Sequence, residues 1–253
     1  MAMAHGEAPR PAPHLPRGVE LAWGLTEPPT RGPRRGLSIE RIVDAAVAIA
    51  DEQGLAAVSM SSVAKSLGFT TMSLYRYVSA KDDLVVLMLD RGLGRPPESV
   101  RRARTWRNGL RRLCEAERAL YRRHPWLLDI PITGLPSTPN NLAWVDAGLH
   151  VLRNTGLAAA EQLAAVLLTT GQVRFQATVE RSYESVAATS GQTVEDFDEA
   201  EASAIDSLVT AEAYPDLHRA AAAGAFRAVD DPFDWMLETA LDGLAARIEA
   251  AAP

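Results

Sequence analysis

Apolar residues recur at helical spacing through most of the chain and predict a protein built from α-helices. Between Ser38 and Gln53 they lie three and four positions apart, which places them on one face of an amphipathic helix. Ser38 is suited to cap that helix and Gly54 to end it. No run of alternating β-branched residues argues for a sheet. We therefore expect an all-α fold.

Two short helices are predicted directly after the first one. The pattern over 59–67 indicates a helix that ends at Gly68, and Thr70 is suited to cap the next one. Leu74 and Val78 lie four positions apart and anchor this second short helix through a shared face. Two short helices joined by a glycine-containing turn make a helix-turn-helix, whose second helix can enter the major groove of DNA.

Polar and aromatic side chains around this motif are the candidate DNA contacts. We expect Thr71, Ser73 and Arg76 to contact bases, and hydroxyls, cations and helix N-termini to position the phosphates. The full candidate set on the motif is Ser59, Ser61, Ser62, Thr70, Thr71, Ser73, Tyr75, Arg76, Tyr77 and Lys81. The alternative for the second helix alone is a solvated amphipathic helix that binds nothing.

Several linked short motifs in this region match one known family. They are Ile42 to Gly54, Val-Ala-Lys-Ser-Leu-Gly at 63–68, Ser-Leu-Tyr-Arg-Tyr-Val at 73–78 and Lys-Asp-Asp-Leu at 81–84. Together they resemble the TetR family of bacterial transcription regulators. The resemblance implies a helix-turn-helix domain that binds a DNA operator. The sequence departs from the tetracycline repressor at Ser61, where that protein has an arginine for base contact.

Breaks in composition divide the chain into three parts. Residues 1–36 are rich in proline and arginine and predict a flexible arm, 37–92 form the DNA-binding domain, and 93–253 form a second helical domain after a Gly- and Pro-rich break. Arg34 and Arg35 precede the first helix, as does Arg31, and can reach an adjacent minor groove. The alternative for this arm is a solubilising tail. Leu21, Trp23 and Leu25 form an apolar patch expected to dock on the folded domain.

The second domain is predicted to contain helices over 99–124, 140–154, 160–188 and 215–223 and a last one from Asp231-Pro232. Gly191 to Glu212 is acidic and predicts a loop with one weak helix. The inner face of the last helix is expected to be Phe233, Trp235, Met236, Leu237, Leu241, Leu244 and Ile248.

Arginines surround the helix over 99–124 and suggest a stripe of positive charge that binds nucleic acid. The favoured interpretation is that these arginines form ion pairs with the acidic C-terminal part.

Charge is unevenly distributed along the chain. The net charge is −6, and residues 131–253 hold six arginines against eighteen acids. Residues 37–92 balance five cations against seven acids. DNA binding would therefore depend on a few placed cations, helix N-termini and a dimer rather than on a broad basic field.

Aromatic and polar residues of the second domain suggest a small-molecule site. Such sites are mostly apolar with a few placed polar groups, and they often lie between helices of a bundle. The candidate ligand contacts are Trp106, Tyr121, His124, Trp126, Trp144, His150, Gln172 and Phe175. The alternative for each aromatic residue is that it only fills the core.

The helix from Trp106 to Tyr121, His124-Pro125-Trp126 and the Gly171-Gln172-Val173 region resemble the C-terminal domain of the tetracycline-repressor branch. This implies a small-molecule effector pocket and a homodimer in which the last two long helices pack as a four-helix bundle. The loop after Trp126 departs from that branch because it is rich in proline and lacks the histidine that helps to hold the metal-drug chelate.

Other classes of protein are disfavoured. Cys114 is the only cysteine, so no intrachain disulfide can form, and no apolar run is long enough for a signal peptide or a membrane span. The five histidines lack metal-ligand spacing, and no catalytic motif stands out. We therefore expect that the protein is not an enzyme and binds no metal or cofactor.

The sequence thus predicts a cytoplasmic, homodimeric repressor of the TetR type, released from double-stranded DNA by an apolar or aromatic effector. The main alternative is a cytosolic helical ligand-binding protein that no longer binds DNA.

Overall fold

The computed structural model describes residues 15–26, 36–132, 134, 137–227 and 231–251. Across these ranges the chain forms α-helices and two 3₁₀-helices and contains no strand, so the all-α prediction is confirmed. Arg31, Arg34 and Arg35 lie outside the described residues. None of the helices in the described ranges is long and apolar enough to cross a membrane.

The helices are α1 (Arg17–Ala22), α2 (Ile39–Gln53), α3 (Met60–Leu67), α4 (Thr71–Tyr75), α5 (Lys81–Leu93), α6 (Glu98–Arg101), α7 (Trp106–Arg123), α8 (Pro139–Leu152), α9 (Ala159–Ser190), α10 (Val194–Leu208), α11 (Pro215–Ala222) and α12 (Pro232–Ala251). The 3₁₀-helices are Leu55–Ala57 and Pro125–Asp129.

The chain divides into two compact units. The first contains the described residues up to Arg91 together with 137–139, and the second begins at Gly92 and contains the other described residues. Helix α5 is therefore shared, because its last residues belong to the second unit.

The first unit has a core of apolar residues from α2, α3, α4 and α5. Ile42, Val63, Leu74 and Met88 are fully buried in it. The predicted cap of α2 is present, since the backbone N–H of Arg41 donates to the hydroxyl of Ser38. Thr70 precedes α4 as predicted, but its side chain makes no capping hydrogen bond. Gly68 follows α3 with a φ of 73°, in the left-handed region that favours glycine, and this lets the chain turn sharply into α4.

Part of the segment expected as a flexible arm is helical. Helix α1 buries Gly18 and Val19, and a Cβ on Gly18 would lie 2.9 Å from Cβ of Val86. The close approach of this glycine to α5 holds α1 in place. The apolar patch predicted to dock is only partly buried, since Leu21 is half-buried whereas Trp23 and Leu25 are exposed. The Trp23 indole donates to the carbonyl of Ser137 at 2.8 Å.

The second unit is built around α7 and α9. The predicted helix over 99–124 is instead two helices, α6 and α7, because Thr105 caps α7 by accepting a hydrogen bond from the N–H of Asn108. The predicted helices over 140–154, 160–188 and 215–223 are confirmed to within two residues at each end. Glycines set the helix spacing, since a Cβ on Gly109 would lie 2.5 Å from Val151.

Two further predictions for this unit were wrong. The acidic stretch was expected to be a loop with one weak helix, but most of it forms the 15-residue helix α10. Thr193 caps this helix, and Ala202 is its buried residue. Trp235 was expected on the inner face of the last helix but is 73% exposed, whereas Phe233, Leu237 and Leu241 form that face. Trp235 lies two residues from both Phe233 and Leu237, on the opposite side of the helix.

The arginines of α7 form ion pairs with acidic residues far along the chain, as the favoured interpretation predicted. Arg107 and Arg111 both bind Glu238, and Arg122 binds Glu180 at 3.4 Å. These cations are thus used within the second unit, and they do not form a nucleic-acid stripe.

Candidate nucleic-acid interface and effector region

Helix α4 is held on the first unit by two residues. Leu74 and Val78 are both fully buried, as their spacing predicted, although Val78 lies beyond the last residue of the helix. The helix itself has only five residues, Thr71 to Tyr75, and Arg76 follows it as its C-cap.

The most exposed face of α4 carries three side chains at helical spacing. Met72 is 74% exposed, and Tyr75 and Arg76 lie three and four residues further along on the same face. Thr71, Ser73 and Tyr77 are half-buried and lie beside it. Met72 was not among the candidate DNA contacts, although a position two residues before buried Leu74 points away from the core in any helix.

Several candidate hydroxyls are engaged within the protein. Ser59 and Ser62 form a reciprocal capping box at the start of α3, with the N–H of Ser62 donating to Ser59 Oγ at 3.0 Å and the N–H of Ser59 donating to Ser62 Oγ at 2.9 Å. The Ser62 hydroxyl also donates to the carbonyl of Ala57. Thr70 and Ser73 share a hydrogen bond of 2.9 Å between their hydroxyls. Ser61 is exposed on the first turn of α3.

Three exposed cations surround this face. Lys65 on α3, Arg76 after α4 and Lys81 at the start of α5 form no ion pair with any residue in the described ranges. Lys65 was not among the candidates, although its exposed position on α3 could be deduced from the buried neighbours Val63 and Ala64. Together with the exposed face of α4, these cations provide donors for phosphates and for base edges.

Tyr121, one of the candidate ligand residues, belongs to a polar cluster between α7 and α9. The hydroxyl of Tyr121 donates to Oε1 of Glu117 at 2.9 Å, and the guanidinium of Arg174 lies 5.9 Å from the centre of the Tyr121 ring. Arg174 also donates to the carbonyls of Leu128 and Ile130. This cluster joins α7, α9 and the end of the second 3₁₀-helix.

Burial perturbs the acidity of the cluster. It raises the pKa of Glu117 to about 7, while the Tyr121 hydroxyl and the Arg174 charge oppose the shift. Burial, with the Glu117 charge as the second cause, also raises the pKa of Tyr121. Two buried acceptor atoms, Glu117 Oε2 in this cluster and Gln176 Oε1 on the side of α9 that contacts Met236, have no hydrogen-bond partner among the described residues. Such atoms are costly unless something donates to them.

Two candidate tryptophans contact the end of α5. The indole of Trp144 donates to the carbonyl of Gly94 at 3.0 Å. A Cβ on Gly92 would lie 2.9 Å from Cη2 of Trp126, so this glycine fits directly against the buried indole. His124 lies edge-on to Trp126, with 6.0 Å between the ring centres.

The remaining ligand candidates are dispersed. Trp106 begins α7, ~22 Å along the helix from Tyr121 at 1.5 Å per residue. His150 is half-buried near the end of α8, and Gln172 is half-buried on α9. Phe175 was expected to line an internal cavity but is 63% exposed, because α9 buries Val173, Gln176 and Ala177 and turns Phe175 outward. Among the described residues no three His, Cys, Asp or Glu side chains could together hold a metal ion.

Two regions of the chain match models of known protein families. Residues 42–88 match the family described as "Bacterial regulatory proteins, tetR family", and residues 101–248, more than half of the chain, match "Tetracyclin repressor-like, C-terminal domain". The chain belongs to the TetR family. This TetR family protein is therefore a helix-turn-helix transcription regulator, and proteins of this family are not enzymes.

Individual relatives agree with this assignment. The HTH-type transcriptional repressor DrrR1 of Streptomyces coeruleorubidus is 35% identical over 236 residues, which are 91% of this chain and 85% of that protein. The crystal structure of apo ActR from Streptomyces coelicolor is similar with a TM-score of 0.70 and 26% identity, covering 87% of this TetR family chain and all of ActR. ActR in complex with actinorhodin also gives a TM-score of 0.70 at 26% identity, over 86% of this chain and all of that one.

Proposed function

We propose that this TetR family protein is a cytoplasmic homodimeric repressor that binds a palindromic DNA operator and is released by a small-molecule effector. The observation that carries the proposal is the exposed face of α4, where Met72, Tyr75 and Arg76 project from a helix anchored by buried Leu74. A helix held in this way can enter a major groove without disturbing the core beneath it.

Exposed apolar surface on the two longest helices supports the homodimer. Besides its buried face, α9 carries a second apolar face that includes Leu168, 61% exposed, and Phe175. On α12, Trp235 projects away from the buried face. Large apolar side chains exposed on neighbouring helices indicate an interaction surface, and a second copy of the chain would cover both helices through a two-fold axis.

A groove between α9 and α12 fits the same interpretation. It has a volume of about 610 Å³ and is lined mainly by small and apolar residues, including Ala164, Leu168, Ala240 and Gly243. Glu161 and Arg247 form an ion pair of 3.5 Å beside it. Small residues let a partner helix approach closely, and we assign this groove to the corresponding helices of the second protomer.

The effector is proposed to bind near the polar cluster of α7 and α9. Glu117 Oε2 and Gln176 Oε1 are buried acceptors without partners in the described part of the chain. A ligand with a hydroxyl or amine donor on an apolar or aromatic body would satisfy Glu117 Oε2 and pack against Tyr121 and Trp126. The similar protein ActR has been crystallised with actinorhodin, which supports a small-molecule effector for this chain also.

The end of α5 offers a route from the effector to the DNA. Gly92, in the last turn of α5, fits against Trp126, and Gly94, directly after that helix, accepts a hydrogen bond from Trp144. Helix α5 begins at Lys81, one of the candidate DNA contacts. An effector that moves these tryptophans would move α5. It can release the DNA only to the extent that it binds the non-DNA-binding state more tightly.

Binding to DNA upstream of the protein's own gene tests the proposal. Footprinting should reveal a two-fold symmetric site, and titration of the protein against that site at several salt concentrations should show affinity falling steeply as salt rises. Binding that ignores sequence, or no binding to any such fragment, would favour the alternative of a helical ligand-binding protein that no longer binds DNA.

A further inference from the structure

A pocket of about 340 Å³ lies in the second unit, away from the polar cluster of α7 and α9. It is formed by the turn between α6 and α7 and the turn between α8 and α9. Its lining includes Arg101, Arg104, Thr105, Trp106, Val151 and Arg153. The volume lies at the lower end of the range typical of small-molecule sites, roughly 300–1,000 Å³.

The pocket wall is strongly basic. Three arginines are among its lining residues, and no Asp or Glu is. Arg101 binds Asp146, and Arg153 donates to the carbonyl of His150. Arg104 is exposed and forms no ion pair with any residue in the ranges that the structure describes. Three arginines with Asp146 as their one carboxylate partner among the described residues produce a positive potential, which favours the binding of an anion.

The start of α7 adds to this potential. Thr105 caps the helix, and the 18 residues of α7 run away from the pocket. The N-terminal end of a helix carries a partial positive charge and unpaired N–H groups that favour an anion. This contribution supports the arginines, which supply most of the charge.

The rest of the wall selects for more than charge. Trp106 and Val151 are half-buried and present an aromatic face and an aliphatic one. Gly109 fixes the spacing behind them, since a Cβ there would lie 2.5 Å from Val151. Arginine forks suit a planar carboxylate, and an indole face suits a flat ring.

We propose that this pocket binds a small aromatic carboxylate, with the carboxylate on Arg104 and Arg153 and the ring against Trp106. The site is separate from the effector region, because Trp106 and Tyr121 are at opposite ends of α7. It is therefore a second ligand site of the molecule, and its existence does not depend on where the effector binds.

Fluorine NMR on the full chain tests this site with 4-fluorobenzoate as the probe. The neutral 4-fluorobenzyl alcohol has the same ring without the charge, and inorganic phosphate is an anion without the ring. We expect the benzoate signal to broaden and shift on addition of protein, and neither the alcohol nor competing phosphate to match its affinity. Equal affinity of the alcohol would overturn the role of the arginines, and equal affinity of phosphate would overturn the role of Trp106.

A matched pair of variants makes the test specific to the pocket. Arg104→Gln should weaken benzoate binding about tenfold, as expected for loss of a charge-assisted hydrogen bond. Arg102→Gln removes an equally exposed charge that pairs with Glu98 and lies outside the lining, so it should change binding less than about twofold. Equal losses in the two variants would show that the benzoate responds to general surface charge, and an unchanged Arg104→Gln would refute the site.

Discussion

The indole nitrogen of Trp144 donates a hydrogen bond to the carbonyl oxygen of Gly94, 3.0 Å away. This bond ties α8 to the residues that follow α5, and Trp126 contacts the same segment at Gly92. Two aromatic residues that the sequence marked only as candidate ligand contacts thus hold the end of the helix that begins at Lys81. Both tryptophans and the last residues of α5 belong to the second unit.

Gly92 should be sensitive to any added side chain. Gly92→Ala places a Cβ 2.9 Å from Cη2 and 3.0 Å from Cζ2 of Trp126. Overpacking of this kind costs about 1–3 kcal/mol of unfolding free energy, which urea denaturation would measure. Trp126→Phe removes those ring atoms, so the double variant should be more stable than the sum of the two single effects predicts. Strict additivity would mean that the two residues do not press on each other.

Arg76 and Lys81 should differ in their effect on DNA binding. Arg76→Ala should cost about 1–3 kcal/mol on the operator and relax the preference at one base pair if the guanidinium reads a base. Lys81→Ala should weaken binding on all sequences equally and reduce the salt slope by about one unit, as expected for a phosphate contact. Affinities on the operator and on single-base variants would distinguish these effects. If Arg76→Ala leaves affinity and preference intact, the DNA-reading face lies elsewhere.

The pKa of Glu117 predicts an unusual dependence of stability on pH. Burial raises the pKa of this carboxyl from 4.5 to about 7, so between these values the folded protein binds more protons than the unfolded chain. The contribution of Glu117 to stability is therefore present below pH 4.5 and is lost as the pH rises to about 7. The change is at most about 3 kcal/mol, since one pKa unit corresponds to about 1.4 kcal/mol.

Glu117→Gln removes that titration while keeping a partner for the Tyr121 hydroxyl. Unfolding free energies from denaturant titrations at pH 5 and pH 8 should show the variant gaining stability relative to the native chain at the higher pH. A constant difference between the two proteins across this range would mean that Glu117 titrates near its ordinary value.

The exposed face of α9 should control the oligomeric state. Phe175→Glu places a charge in the proposed dimer interface and should yield a monomer at micromolar concentration, as measured by sedimentation equilibrium. Leu217→Glu changes a residue that is also exposed, on α11, and should leave the dimer intact. A dimer in both variants would move the interface away from α9.

Much of the first unit could be predicted from the sequence because its signals are local. Ser38 and Ser59 cap their helices, Gly68 ends α3, and the spacing of Leu74 and Val78 gave the anchor of α4 correctly. The exposed position of Met72 followed from the same helical phase and was overlooked. By contrast, α1 is stabilised by the close approach of Gly18 to α5, a tertiary contact that no local pattern reveals.

The second unit was harder to predict because its helices have two apolar faces. Helical spacing cannot tell which face of α9 or α12 packs within the protomer, so Phe175 and Trp235 were both assigned to the interior. The polar cluster was missed for a related reason. Glu117 is a polar residue in a position that appears solvated in the sequence, and it is buried only in the folded protein, where α7 packs against α9.

Binding to a palindrome and to its isolated half tests the central claim most directly. Once the operator has been mapped, fluorescence anisotropy with the full site and with one half-site gives both affinity and stoichiometry. The account predicts two protomers on the palindrome and a loss of at least about a hundredfold in affinity on the half-site, because the two recognition helices of a dimer bind together. Equal affinity for both DNAs, or a single protomer on the palindrome, would contradict it.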